Sequence, residues 1–215
     1  MALLTDRACA GAPSARNRAA GWSVQPVRRL REAYLCALVL LGLSHGVSHA
    51  QGVAVAGEYT EYQIKAAFLF NFAKFVDWPA DAFADTTTPI TIGIFGENPF
   101  GGTLEQIIGG QLVKGRSLVL VQYRRVRDIE GCHILFISAA EERTIPEVLD
   151  RVRNSSILTV SEVTDFARDG GIVNFVLHEN RVRFEVNVDA AERARLMISS
   201  KLLKLADIVR EGRRG

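Results

Sequence analysis

Four short runs rich in Ile, Val, Leu and Phe constrain the fold most: Ile90–Phe95, 117–123, 133–138 and 156–160. Each is five to seven residues of nearly continuous apolar side chains, too short for a core helix and without the polar alternation of a one-sided strand. Such strands are stable when both faces are covered, as in a parallel sheet between two layers of helices. The segments between them supply helices. Asn98 is placed as an N-cap with Pro99 at the first helical position, predicting a helix over about 99–109 that Gly109-Gly110 ends. Glu141 to Arg153 carries Ile145, Val148, Leu149 and Val152 on one face of a surface helix. The expected architecture is a three-layer α/β domain, Rossmann-like in its mainly parallel sheet, with strand order open.

Both ends of the body modify this core. Thr60 and Gln63 have capping-box spacing and Pro79 closes the segment, predicting a first helix over about 61–77. Four of the chain's 11 phenylalanines (Phe68, Phe70, Phe72 and Phe75) fall within eight residues of it and do not share one stripe. A helix of that kind is central, or it offers a second face to a partner. On the second reading Phe70, Phe72, Phe75 and Trp78 are the partner-binding candidates. Near the other end, Ile172 to Leu177 and Arg181 to Val188 flank Glu179-Asn180. The alternation of Val182, Phe184, Val186 and Val188 with polar residues predicts a half-buried antiparallel hairpin at the sheet edge. A short helical piece is expected at Val163–Ala167. A long final helix is expected from Asp189 to about Val209, with Ala194, Ile198, Leu202, Leu205 and Val209 on one face.

The first fifty residues read as a leader. Arg28, Arg29 and Arg31 precede an apolar run over 34–43, and Ser48-His49-Ala50 follows with small residues at the positions a signal peptidase reads. The run is shorter than the roughly 20 residues of a membrane span. Residues 1–50 are therefore expected to be a signal peptide cut after Ala50, 51–58 a flexible terminus, and 59–211 a single domain. This layout predicts export to the periplasm. The leader holds six of the 26 Lys and Arg and two of the 24 Asp and Glu, so the body carries 20 basic against 22 acidic residues, a net charge of −2. A near-neutral body lacks the basic footprint of a nucleic-acid binder. Of three cysteines, Cys9 and Cys36 leave with the leader. Cys132 remains, expected as a buried inert thiol.

No catalytic constellation emerges. Gly93, Gly96, Gly101 and Gly102 do not have dinucleotide-binding spacing and no phosphate-loop lysine follows them. An anion held at the start of the helix after Asn98 is the minor reading there. There is no nucleophile-elbow motif. His133 and His178 are the only imidazoles of the body, and His133 is expected as a packed core histidine. Cys132 and His133 are adjacent and point to opposite faces of a strand, a poor metal pair. Neither an enzyme nor a bound cofactor or metal is expected. The best binding candidate is the polar face of the hairpin. Arg181 and Arg183 point the same way, and His178 lies across the turn, suiting a carboxylate or phosphate. The competing reading pairs Arg183 with Glu185.

Several separated motifs resemble one family. They are Ala66-Ala67-Phe68-Leu69-Phe70-Asn71-Phe72-Ala73-Lys74-Phe75-Val76-Asp77-Trp78-Pro79, Gly170-Gly171-Ile172-Val173-Asn174-Phe175, Val182-Arg183-Phe184-Glu185-Val186-Asn187 and Ser199-Ser200-Lys201-Leu202-Leu203-Lys204-Leu205-Ala206. They resemble the YfiR/HmsC-like family over about 58–210. The resemblance implies a small periplasmic α/β protein, often a homodimer. In the best-known member it implies restraint of an inner-membrane diguanylate cyclase through its periplasmic region. An outer-membrane lipoprotein can sequester that member and release the cyclase, which tunes cyclic-di-GMP and biofilm formation. This chain departs from that member in one respect: cysteine pairs serve there in redox control, and here only Cys132 remains in the body. The alternative function is a periplasmic sensor of a nucleotide or amino acid, with the ligand near His178, Arg181 and Arg183.

Overall fold

The computed structural model describes residues 53–210, with side chains from Glu61 onward. The predicted leader and its cut after Ala50 lie outside the described residues. Helix α1 (Val53–Phe75) is followed by a two-residue strand β1 (Val76–Asp77), then β2 (Ile90–Phe95), α2 (Thr103–Ile108), β3 (Leu112–Val113) and β4 (Arg116–Tyr123). Next come β5 (Ile134–Ile137), α3 (Ile145–Val152), β6 (Leu158–Ser161) and the hairpin β7 (Val173–His178) with β8 (Arg181–Asn187). The chain ends in α4 (Val188–Arg193), β9 (Met197–Ile198), α5 (Ser200–Leu203) and β10 (Asp207–Val209). The order across the main sheet is β10-β8-β7-β6-β5-β2-β4-β3. The run β4-β2-β5-β6-β7 is parallel throughout, β7 and β8 are antiparallel, and β8 and β10 are parallel. Counted from β2, the parallel strands stand 2-1-3-4-5, a doubly wound order.

Alternate side chains of the central strands enter two separate cores, the direct consequence of strand pleating. Ile90, Ile92, Ile94, Ile134 and Phe136 pack on one face with α1, α2, α4 and α5. Phe95, Leu135 and Ile137 pack on the other with Ile145, Val148 and Val152 of α3. The expected three-layer α/β architecture is the observed one. Gly93 belongs to this packing, since a Cβ there would stand 2.6 Å from the Tyr123 ring. The turn Glu179-Asn180 has both residues at positive φ (50° and 60°), the mirror-image conformation that tight hairpins favour.

Four expectations are corrected. Helix α1 begins at Val53 rather than near 61, and ends at Phe75 because Val76-Asp77 pairs with Ile198-Met197. Asn98 does not cap a helix over 99–109. Its Oδ1 accepts from the Phe100 N–H at 2.9 Å in a side-chain turn, and the helix starts at Thr103. The segment Val163–Ala167 is a turn rather than a helical piece. The largest error is the final helix. Asn187, not Asp189, is the cap, accepting from the Ala190 N–H, and α4 stops at Arg193. Arg195 has φ +57°, which turns the chain back. The tail then runs through β9 and α5 into β10 beside β8, so the hairpin is not the edge of the sheet. No helix among the described residues is long and apolar enough to cross a membrane.

Candidate functional site

The β7–β8 hairpin outruns the strands beside it. Its neighbour β6 pairs only with Val173 and Asn174, and β10 only with Glu185, Val186 and Asn187. Residues 175–184 therefore project past the carboxyl end of β6. One face of this projection rests on α1: Phe175 and Phe184 meet the rings of Phe68 and Phe72 at centroid distances of 5.2 to 6.1 Å. The opposite face carries Asn174, Val176 and His178 against their direct partners Glu185, Arg183 and Arg181.

The tip brings together two of the three expected ligand-binding residues, since His178 and Arg181 are direct cross-strand partners, with Arg183 one step further on the same face. All three are exposed. Arg183 does not pair with Glu185, which is held instead by Arg168 at 3.0 Å. Leu177 at the tip is 55% exposed, and Ile64 on the supporting helix is 40% exposed. Among the described residues Arg181 and Arg183 have no ion-pair partner, so the tip presents two open guanidiniums on one face and an open aliphatic side chain on the other.

The four partner-binding candidates on and just after the first helix divide. Phe72 is a correction: it is fully buried, stacked on Phe175 and edge-on to Phe184, and is a core residue. Phe70, Phe75 and Trp78 are half-buried and pack against the same core. Lys74 lies over the Phe70 ring at 5.3 Å. The Trp78 indole N–H donates to the His133 carbonyl at 3.1 Å, which fixes it to the body.

Below the hairpin, at the carboxyl end of β6, lies a cleft of about 580 Å³. Sequence reasoning missed it. Lys65 projects from α1 and is 4% exposed, in ion pairs with both Glu61 and Glu162. Its Nζ stands 4.7 Å from the Tyr62 ring centroid, and the Tyr62 hydroxyl donates to Glu162 at 3.1 Å. On the hairpin side Arg168 pairs with Glu185 and, at 3.4 Å, with Asp165. Asn174 is 1% exposed, gives one long hydrogen bond to Glu185 (3.4 Å), and has an Oδ1 with no partner. The one signal in sequence was a lysine within an apolar helix at Lys65, one turn after Glu61.

Two other places are closed. The switch point of the sheet lies between the ends of β2 and β5, where doubly wound folds hold ligands. Here Glu141 occupies it: a Cβ on Gly96 would stand 2.4 Å from the Glu141 side chain. A carboxylate there repels phosphate, so the minor reading of an anion near Asn98 gains no support. His133 is packed, as expected. Its Nδ1 accepts from the Thr91 N–H and its Nε2–H donates to the Ala82 carbonyl, both at 3.1 Å, while its ring stacks on Phe83 at 4.4 Å. Burial, with a smaller contribution from the Arg116 charge, holds its pKa below the ordinary 6.5. Cys132 is buried and its thiol is pushed up to about 12 by burial. Among the described residues no cluster of three or more His, Cys, Asp or Glu is placed to hold a metal ion.

The YfiR/HmsC-like family model matches residues 62–207, and the chain belongs to that family, whose members are periplasmic and regulatory. No curated protein matches the chain. Among solved structures it is similar to an ABC domain from Streptococcus pneumonia in complex with L-Trp, at 11% identity and a TM-score of 0.47, over 69% of this chain and 60% of that one. It is also similar to a conserved domain protein from Vibrio cholerae O1 biovar eltor, at 12% identity and a TM-score of 0.41, over 55% and 54%. The chain thus spans six-tenths or less of each of these two structures.

Proposed function

We propose that this protein is exported, with a cut after Ala50, and binds and restrains an inner-membrane signalling protein, a diguanylate cyclase, so lowering cyclic-di-GMP and biofilm formation. Family membership supports the class of function. The observation that carries the reading to a surface is the projecting hairpin: three exposed groups, His178, Arg181 and Arg183, on one face and the open Leu177 on the other, with no ion-pair partner for either arginine among the described residues. Exposed arginine is among the residues enriched at protein interfaces. Restraint then means that the hairpin binds one state of the cyclase's periplasmic region better than the other. On this reading a lipoprotein of the outer membrane that covers the same surface relieves the restraint by competition, and a homodimer presents two such hairpins. The test is cellular cyclic-di-GMP in a deletion strain. The level rises on deletion and returns to normal with the exported protein, but not with a form lacking residues 1–50. An unchanged level in a strain shown to express the protein contradicts the reading.

A further inference from the structure

We propose that the cleft beneath the hairpin is a binding site for a small aliphatic diamine or polyamine. This inference does not depend on the identity of the membrane partner. The lining carries four acidic residues, Glu61, Glu162, Asp165 and Glu185, against two basic ones, Lys65 and Arg168. The two bases are already engaged: Lys65 by Glu61 and Glu162, Arg168 by Asp165 and Glu185. Among the described residues the wall therefore carries two more acids than bases. A half-shielded setting makes that surplus more attractive to a ligand than the same charges on an open surface.

The second observation is the Asn174 amide. It sits in the wall of the cleft, almost wholly buried, with one long hydrogen bond from Nδ2 and none at Oδ1. Buried polar atoms are rarely left unmatched, because an orphan acceptor costs about 1–3 kcal/mol. What Oδ1 lacks is an N–H or O–H donor. A primary ammonium supplies three, together with the charge that the carboxylates require. An inorganic monovalent cation has no N–H, and the donor set does not form a metal cage. The surplus of two matches two ammonium centres. Val176, which shares its strand face with Asn174, provides apolar wall for the methylenes between them, and the Tyr62 ring already faces an ammonium, that of Lys65. Asn174 and Val176 belong to β7, so occupancy of the cleft would bear on the base of the hairpin, while Arg181 and Arg183 at the tip stay free for a partner.

The experiment is calorimetric titration of the purified protein with putrescine, cadaverine and spermidine, repeated on E185Q, N174A and, as a control with the same charge change away from the cleft, E147Q. The expected result is saturable binding of at least one diamine, at least tenfold weaker in E185Q and in N174A, and unchanged within twofold in E147Q. Circular dichroism of each variant establishes that it is folded. Where E185Q is not folded, N174A, which leaves every ion pair in place, carries the test alone. Three outcomes overturn the proposal: no binding of any of the three amines up to about 10 mM, a range that captures interactions weaker than about −3 kcal/mol; equal affinity in E147Q, N174A and E185Q; or tighter binding of a neutral amino acid such as glycine or leucine than of any diamine.

Discussion

The two ends of the sheet solve the burial of polar groups in opposite ways. At the amino end His133 has both ring nitrogens bonded, its ring stacked on Phe83, and Trp78 tied to its carbonyl. Arg116 closes the stack, lying over Phe83 at 3.9 Å and bonding the Asp85 and Thr88 carbonyls. Among the described residues no buried polar side-chain atom there lacks a partner, which is how a fold secures a loop. At the carboxyl end Asn174 keeps an unmatched Oδ1, acids outnumber bases in the cleft wall, and the hairpin tip holds unpaired cations. Surplus and mismatch at the carboxyl ends of strands are where α/β sheets place function. The lesson is that this molecule separates a sealed end from an unfinished one, and that α1 serves both needs, with Phe72 in the core and Lys65 in the cleft wall.

The largest expected effect tests that placement of α1. Phe72→Ala opens a cavity between the helix and the hairpin and should cost about 3–5 kcal/mol, read as a lower denaturant midpoint. A loss below about 1 kcal/mol contradicts its core role.

The sealed end has a pH signature. His133 is neutral in the fold because its pKa is held below 6.5. Protonation would place a proton on Nδ1, which now accepts from the Thr91 N–H, and so turn that hydrogen bond into a clash of two donors. The stabilising contribution is therefore fully present above about pH 6.5 and is lost as pH falls towards the lowered folded value. Over that window stability should drop by up to about 1.4 kcal/mol per pH unit. His133→Asn should flatten that part of the curve, as followed by thermal unfolding between pH 7.5 and 5.5. An identical slope in the variant contradicts the assignment.

Cys132 gives a kinetic reading of the same seal. Its buried thiol, with a pKa near 12, should react with a maleimide only after denaturation, and prompt native labelling would contradict it. The smallest stability effect belongs to the unfinished end: Arg181→Ala with Arg183→Ala should change the unfolding free energy by no more than about 0.5 kcal/mol, because both side chains are exposed and neither guanidinium has a partner among the described residues. A larger loss would mean that the tip is structural.

The contrast also explains what was legible in the sequence. The β-branched runs gave the parallel strands because burial on both faces leaves no other use for them, and Glu179-Asn180 between alternating strands marked the hairpin. His133 and Cys132 were legible as packed residues from the apolar run that follows them. The tail was not legible. Ala194, Ile198, Leu202, Leu205 and Val209 fit a helical stripe, yet Leu205 is largely exposed while Val209 is buried in a strand. The break at Arg195 rests on a positive φ at an arginine, which carries no sequence mark. Asn98 looked like a helix cap because a side-chain turn and a cap use the same Asn oxygen. The juxtaposition of His178, Arg181 and Arg183 was legible because they are neighbours in sequence across one turn. The cleft was missed because Lys65, Glu162 and Glu185 meet only through the tertiary fold, across 97 residues in the Lys65–Glu162 pair.

The most direct test of the central claim is cyclic-di-GMP in the deletion strain restored with the exported protein carrying Arg181→Ala, Arg183→Ala and Leu177→Asp, at wild-type abundance. The account predicts that this folded triple variant leaves cyclic-di-GMP as high as in the deletion strain, while the wild-type protein lowers it. Full restoration by the triple variant would contradict the hairpin as the restraining surface.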